Sequence, residues 1–323
     1  VTYYLVRGEA VLRGICDDFY QRSEDAQMSF QPSAAEPFSF RAEKSGRYLD
    51  GAVLSRAVSQ AMETGSGEIR LQTARTPARI TIAKLKELTC LLASFSTKFN
   101  AAAAGRARNI ALAGKKLSGT VIGAGEEFSF NAAVGERTKA NGFCEAPIIF
   151  EGDFVAGVGG GVCQASTTVY NAALLAGMQI VEYHPHSVSV GYVEPSFDAM
   201  VSGKNADLRF INGTAFPVYM ICDVKNGKIT VSLYGKKSAY TYRRESVVTG
   251  MLPPPEPEYA EGENAKLRDP KQGLTSCGYL VKYKNGVAVE KKRIRSDRYA
   301  PVRGVLPKPA EERDDLARNF TIS

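Results

Sequence analysis

Beyond residue 178 the chain alternates short apolar runs with turn residues, the two-residue period of β-strands. Segments 179–183, 187–193, 206–211, 218–224 and 228–234 read as strands, the last as Lys-Ile-Thr-Val-Ser-Leu-Tyr. Asn226-Gly227 separates the final two and predicts a two-residue hairpin turn, because both positions of such a turn require positive φ. The preceding segment, 169–178, is apolar with almost no polar face and predicts a buried, alanine-rich helix that begins near Cys163. Residues 109–117 are also helical. Nearer the start, Asp50 caps a helix running through residue 61, residues 68–71 form a short strand, and Thr81 caps a helix over 82–88.

Past residue 235 the pattern changes. Pro253-Pro254-Pro255-Glu256-Pro257 predicts a stiff extended spacer. Segments 278–284 and 287–294 flank Asn285-Gly286, a second hairpin signal, and residues 299–302 add an edge strand. The stretch Glu311-Glu312-Arg313-Asp314-Asp315 reads as a solvated tail. The fold class is therefore α+β, a mixed helix and antiparallel-sheet core followed by a small β-rich module. Expected divisions are 1–88, 89–236, 237–307 and 308–323.

Composition narrows the function classes. With 323 residues, 44% of them hydrophobic, the chain can bury sizeable cores. The net charge of +7 is dispersed, and no basic stripe interleaved with aromatics suggests nucleic acid as a partner. The same charge suits an anionic cell-wall polymer or membrane surface. No run approaches the ~18–20 apolar residues of a membrane span. Because the sequence starts at Val1, a signal or membrane anchor upstream is compatible with it. The six cysteines are scattered without a Cys-x-x-Cys pair, which indicates neither a disulfide framework nor a structural zinc site. Cys16, Cys90 and Cys222 lie in apolar surroundings and read as buried thiols.

Candidate chemistry centres on Gly159-Gly160-Gly161-Val162-Cys163-Gln164-Ala165-Ser166-Thr167-Thr168. Three glycines lead into a cysteine at a helix start, where unpaired N–H groups and the positive dipole end favour a thiolate. The chain's two histidines follow in Glu182-Tyr183-His184-Pro185-His186-Ser187, so a cysteine nucleophile has an imidazole base at hand. In an extended segment residues two apart share a face, and either His184 or His186 could approach Cys163. Zinc held by Cys163, His184 and His186 is an alternative with loose ligand spacing. Asp198 could orient a histidine, and Arg209 offers a fork suited to a carboxylate, although the two could equally form an ordinary ion pair. Gln164, Ser166 and Thr167 offer donors for a substrate, or serve only to build the helix start.

These residues carry a resemblance. The run from Gly159 through Ala173, then His-Pro-His-Ser-Val-Ser-Val-Gly-Tyr-Val, then Asp207-Leu208-Arg209-Phe210-Ile211-Asn212, resembles the VanW domain over about residues 94–235. Residues 125–130 resemble the family's entry strand, and 201–205 depart from its usual turn. Residues 1–88 resemble part of a peptidoglycan-binding-type domain, and 237–307 a small wall-protein module. Some VanW members act as L,D-transpeptidases. The resemblance thus implies an extracytoplasmic enzyme that attacks peptidoglycan stem peptides through Cys163 and needs no cofactor. It makes His186 the base, because His-Ser is the pair the family keeps, and leaves His184 facing substrate. Backbone N–H groups of Cys163, Gly160 and Gly161 would hold the oxyanion. A cysteine peptidase or carboxypeptidase, or a wall-binding protein without catalysis, remains an alternative.

Overall fold

A computed structural model describes residues 8–65, 67–150, 153–203, 205–260 and 267–307. The acidic tail expected after residue 307, and Lys204 in the departing turn, lie outside the described residues. The chain divides into two compact units, Val1–Thr89 and Cys90–Ser323.

In the first unit, α1 (Gly8–Phe19) is followed by β1 (Gln27–Phe30), β2 (Phe38–Arg41) and β3 (Gly46–Tyr48). Helix α2 (Gly51–Thr64) starts where Asp50 accepts the N–H groups of Ala52 and Val53, and it ends at Gly65 in the left-handed region. The short strand lies at β4 (Ala74–Thr76), not at 68–71. Its position is set by pairing with β3, Gly46 opposite Thr76, which local propensity does not reveal. Thr81 caps α3 (Ile82–Glu87) as its sequence predicts.

The second unit opens with β5 (Cys90–Lys98) and α4 (Ala104–Leu117), which begins five residues before the expected helix. Next come β6 (Val121–Ile122) and β7 (Glu127–Ser129), and then α5 (Phe130–Val134), a helix that claims Phe130 from the expected strand because Ser129 caps it. The hairpin β8 (Glu145–Phe150) and β9 (Asp153–Val158) leads through the glycine turn into α6 (Val162–Leu175). The remaining strands of the family-like region are β10 (Gln179–Glu182), β11 (Arg209–Ile211), β12 (Val218–Lys225) and β13 (Lys228–Gly235).

Helices α4 and α6 pack on an antiparallel sheet ordered β5-β13-β12-β6. The alternation of β13 places Ile229, Val231 and Leu233 fully in the core, and Asn226 and Gly227 both take positive φ in its hairpin. Helix α6 has no solvent face: from Gln164 to Leu174 every residue is buried, its polar side chains included. A smaller sheet, β10-β11-β7, flanks this core.

Residues 187–193 do not form the expected strand. They run as an irregular segment, tied at its start by the Ala300 N–H to the Ser187 carbonyl at 2.7 Å.

The C-terminal strands are β14 (Tyr240–Leu252), β15 (Glu258–Tyr259), β16 (Gly273–Lys284), β17 (Val287–Tyr299) and β18 (Val305–Leu306). Asn285 and Gly286 form the expected turn, while the edge strand expected at 299–302 is the end of β17 and an isolated bridge from Val302 to Lys271. The division expected at 236/237 separates no compact units, because the sheet β14-β16-β17 shares the core of the preceding region. Leu280 and Ile294 pack against that core, and the Arg244 guanidinium lies between the rings of Phe95 and Phe197, at 4.4 and 4.5 Å.

Candidate active site

Cys163 is the second residue of α6 and keeps partial exposure. The approach is held by Asn109, a fully buried residue of α4. Its Oδ1 accepts the Cys144 N–H at 2.7 Å, and its Nδ2 donates to the carbonyls of Cys144 and Gly160 at 2.9 and 3.0 Å. Gly159 and Gly161 adopt φ of +92° and +105°, a region that side chains rarely enter. Gly160 has no room for a side chain, because a Cβ there would lie 2.6 Å from the Pro147 carbonyl oxygen and 2.8 Å from that of Ala146. Gly160→Ala should therefore destabilise this unit by about 1–3 kcal/mol and lower its Tm by several degrees. A thermal melt matching wild type would show that the hairpin yields without cost.

The first helical turn also leaves a donor beside the sulfur. The N–H groups of Val162 and Gln164 reach the carbonyls of Gly159 and Gly161, whereas the Cys163 N–H between them has no intrahelical acceptor among the described residues.

The His186 side chain lies close enough to Cys163 to influence its thiol by charge and hydrogen bonding. The His186 backbone N–H and Nδ1 both bond Asp198 Oδ2 at 2.7 Å, which makes Nδ1 a protonated nitrogen and leaves Nε2 as the one available to the sulfur. Burial opposes the imidazolium, but the Asp198 carboxylate and the Cys163 sulfur outweigh it and raise the His186 pKa to about 9. Burial likewise pushes the Cys163 thiol up. The hydrogen bond and charge of His186, with the more remote Arg137 charge, overcome that and bring it below the ordinary thiol value. In its protonated form the sulfur has the Val201 carbonyl as acceptor at 3.4 Å.

Asp198 is 1% exposed, and two residues of β17 sustain its charge there. Tyr299 donates its hydroxyl to Oδ1 at 2.6 Å, and Arg295 reaches Oδ1 at 3.3 Å and the Asp198 carbonyl at 2.6 Å. Against burial, these partners and His186 hold the carboxyl below its usual range. Tyr299 also accepts the Ser196 N–H at 2.7 Å, which helps fix Ser196 at φ +63°. Arg295 is tied to Asp297 at 2.6 Å and lies 4.5 Å over the Tyr183 ring. No local motif singles out Arg295 among the charged residues of β17, so sequence reasoning passes over it and over Tyr299.

The other residues singled out from sequence have different surroundings. His184 turns its Nε2 to Glu182 at 2.9 Å, and among the described residues it forms no metal-type cluster with Cys163 and His186. Arg209 forms no pair with Asp198; it bridges Glu127 and Glu182 across β7, β11 and β10. Gln164, Ser166 and Thr167 are buried, and their polar atoms are engaged within the protein. Gln164 bonds Thr97, the Lys98 carbonyl and Arg106. Ser166 donates to the Ala199 carbonyl, and Thr167 accepts the Ala199 N–H at 3.0 Å. The three therefore dock α6 and fix the segment that carries Asp198. Tyr192, from the irregular segment, lies near Thr167 and Cys163, and burial pushes its hydroxyl up and keeps it protonated.

The family model described as "VanW like protein" matches residues 105–234. Uncharacterized protein YoaR of Bacillus subtilis (strain 168) is 41% identical over 143 residues, which are 44% of this chain and 47% of that relative. The chain thus spans about half the length of this curated relative. A solved chain titled "Crystal structure of HP0197-G5" matches 22% of this chain and all of its own length, at 18% identity and a TM-score of 0.13. The matched region holds Cys163, His186 and Asp198 but excludes Arg295 and Tyr299, and over residues 105–234 this chain is similar to the VanW family.

Proposed function

We propose that this protein is a cysteine acyltransferase of the L,D-transpeptidase type that acts on peptidoglycan stem peptides outside the cytoplasm. The observation that carries the reading is a partly exposed cysteine at a helix start, paired with a buried histidine that a carboxylate orients. The Cys163 thiolate attacks the carbonyl of the diamino acid at position three of a tetrapeptide stem. Donors at the turn, the Cys163 N–H and those of Gly160 and Gly161, receive the oxyanion; one such donor is worth roughly 2.7–4 kcal/mol. The His186 imidazolium protonates the departing amine, D-alanine leaves, and a thioester remains. The side-chain amine of a second stem then attacks the thioester, His186 takes its proton, and the cross-link forms as the sulfur is released. Asp198 keeps His186 in the required tautomer throughout, with Arg295 and Tyr299 holding Asp198.

Incubation with purified disaccharide-tetrapeptide tests the proposal. Dimers that have lost one D-alanine are the expected products. Monomers that have lost it would make the protein a carboxypeptidase, with water replacing the amine, and unchanged substrate would overturn both.

The pH dependence follows from the thiolate–imidazolium pair, which titrates as a unit. Below the lowered thiol value the sulfur is protonated and the nucleophile is lost. Above about 9 the proton that His186 delivers to the leaving amine is lost. The kcat/KM profile is therefore expected to stand high through neutral pH and to fall above about 9. A rate still climbing beyond that point would show that the imidazolium is not the acid.

The net charge of +7 suits attraction to anionic wall polymers, and the described helices include none long and apolar enough to cross a membrane.

A further inference from the structure

We infer that Arg137 forms a carboxylate subsite beside Cys163, so that the site selects a peptide by its free C-terminal carboxylate. The inference deepens the acyl-transfer reading and rests on it for the identity of the peptide. Arg137 follows α5, and its stem covers the glycine turn: a Cβ on Gly159 would come within 3.1 and 3.3 Å of Arg137 Cβ and Cγ.

The guanidinium is held from one side. Its Nη2 donates to Asn131 Oδ1, and its carbon lies 5.9 Å from the Phe130 ring centre. Asn131 is itself fixed, with its N–H on Asp207 Oδ1 at 2.8 Å and its Nδ2 on the carbonyls of Gly203 and Ala206 at 2.9 Å. Arg137 Nε is buried and has no hydrogen-bond partner among the described residues. No carboxylate among those residues forms an ion pair with Arg137 either, although Asp207 and the Cys163 sulfur both favour its charge.

A buried donor without an acceptor is costly, and a cation short of a counter-ion more so, unless an arriving group supplies both. A carboxylate does, since it accepts two parallel N–H bonds from a guanidinium. The demand grows during the reaction. The thiolate that partly balances Arg137 becomes a neutral thioester sulfur, and a carboxylate on the leaving residue stands one residue beyond the carbonyl under attack. Arg137 would thus read the end of the peptide and restrict attack to its last bond.

Alkylation of Cys163 separates this inference from turnover. Iodoacetate and iodoacetamide are both displaced by the thiolate with loss of iodide, and they differ in carrying a carboxylate or a neutral amide. Their relative rates at Cys163, read by mass spectrometry of the digested full chain, cancel any change in thiolate fraction. Wild type is expected to favour iodoacetate relative to a simple thiol such as glutathione. Arg137→Gln should reduce that preference by roughly tenfold, the size of a charge-assisted pair, and Arg137→Lys should keep part of it. A wild-type ratio equal to that of glutathione overturns the inference without recourse to any variant, as does an unchanged ratio in Arg137→Gln. A clear iodoacetate preference in a protein that does not turn over tetrapeptide would uphold the anion subsite and sink only the transpeptidase reading.

Discussion

Cys163→Ala is expected to abolish turnover of disaccharide-tetrapeptide while the fold survives. The change removes the only atom that can form the thioester. It does so at a partly exposed helical position, where alanine is the best helix former and the lost contacts are those of one sulfur, to His186 and to the Val201 carbonyl. The remaining donors can still bind substrate, so binding measured on the variant should persist as the products disappear. Selective labelling offers a check on the same premise. A carbapenem, as a strained acylating agent, should leave its mass adduct on Cys163 and not on Cys16, Cys90 or Cys222. For Cys222 the reason is explicit, since burial pushes that thiol up to about 12. Full activity in Cys163→Ala would end the covalent mechanism.

His186→Ala should reduce turnover by a factor on the order of 10²–10⁴, the share of a positioned acid–base group. It removes the group that both lowers the Cys163 pKa and protonates the leaving amine, and it leaves Asp198 with Arg295, Tyr299 and the backbone N–H of residue 186. His184→Ala should do far less. His184 faces Glu182 at a partly exposed position, and exposed pairs of this kind contribute about 0–1 kcal/mol. The comparison is made on rates together with the thiolate titration of Cys163, followed by absorbance. In His186→Ala the titration midpoint should move up toward the ordinary thiol value. Should His184→Ala prove more damaging and shift the midpoint further, the two histidines exchange roles; should neither matter, the proton passes through another group.

Local chemistry explains which parts were legible in advance. Asp50 and Thr81 cap helices because their side chains reach N–H groups two or three residues away. Asn226-Gly227 and Asn285-Gly286 turn because their own φ angles allow it. Residues 169–178 predict burial for a similar reason, since a segment with almost no polar residues has no side to turn to water. The run 187–193 stays irregular despite its alternating pattern, because alternation yields a strand only where a partner strand is available.

For the site, the sequence by itself determined the scarce chemistry: one cysteine after three glycines, two histidines, and an aspartate close behind them. Tertiary structure decided between the histidines by bringing Asp198 to His186 and Glu182 to His184. It also supplied what the motif lacks. Arg295 and Tyr299 arrive from a strand about 100 positions away to sustain a buried carboxylate, and Arg137 and Asn109 frame the glycine turn from separate helices and loops. The physical reason is the same in each case. Caps and turns are settled by neighbours along the chain, whereas a buried charge or an occupied donor is settled by whichever distant group folding places within about 3 Å of it.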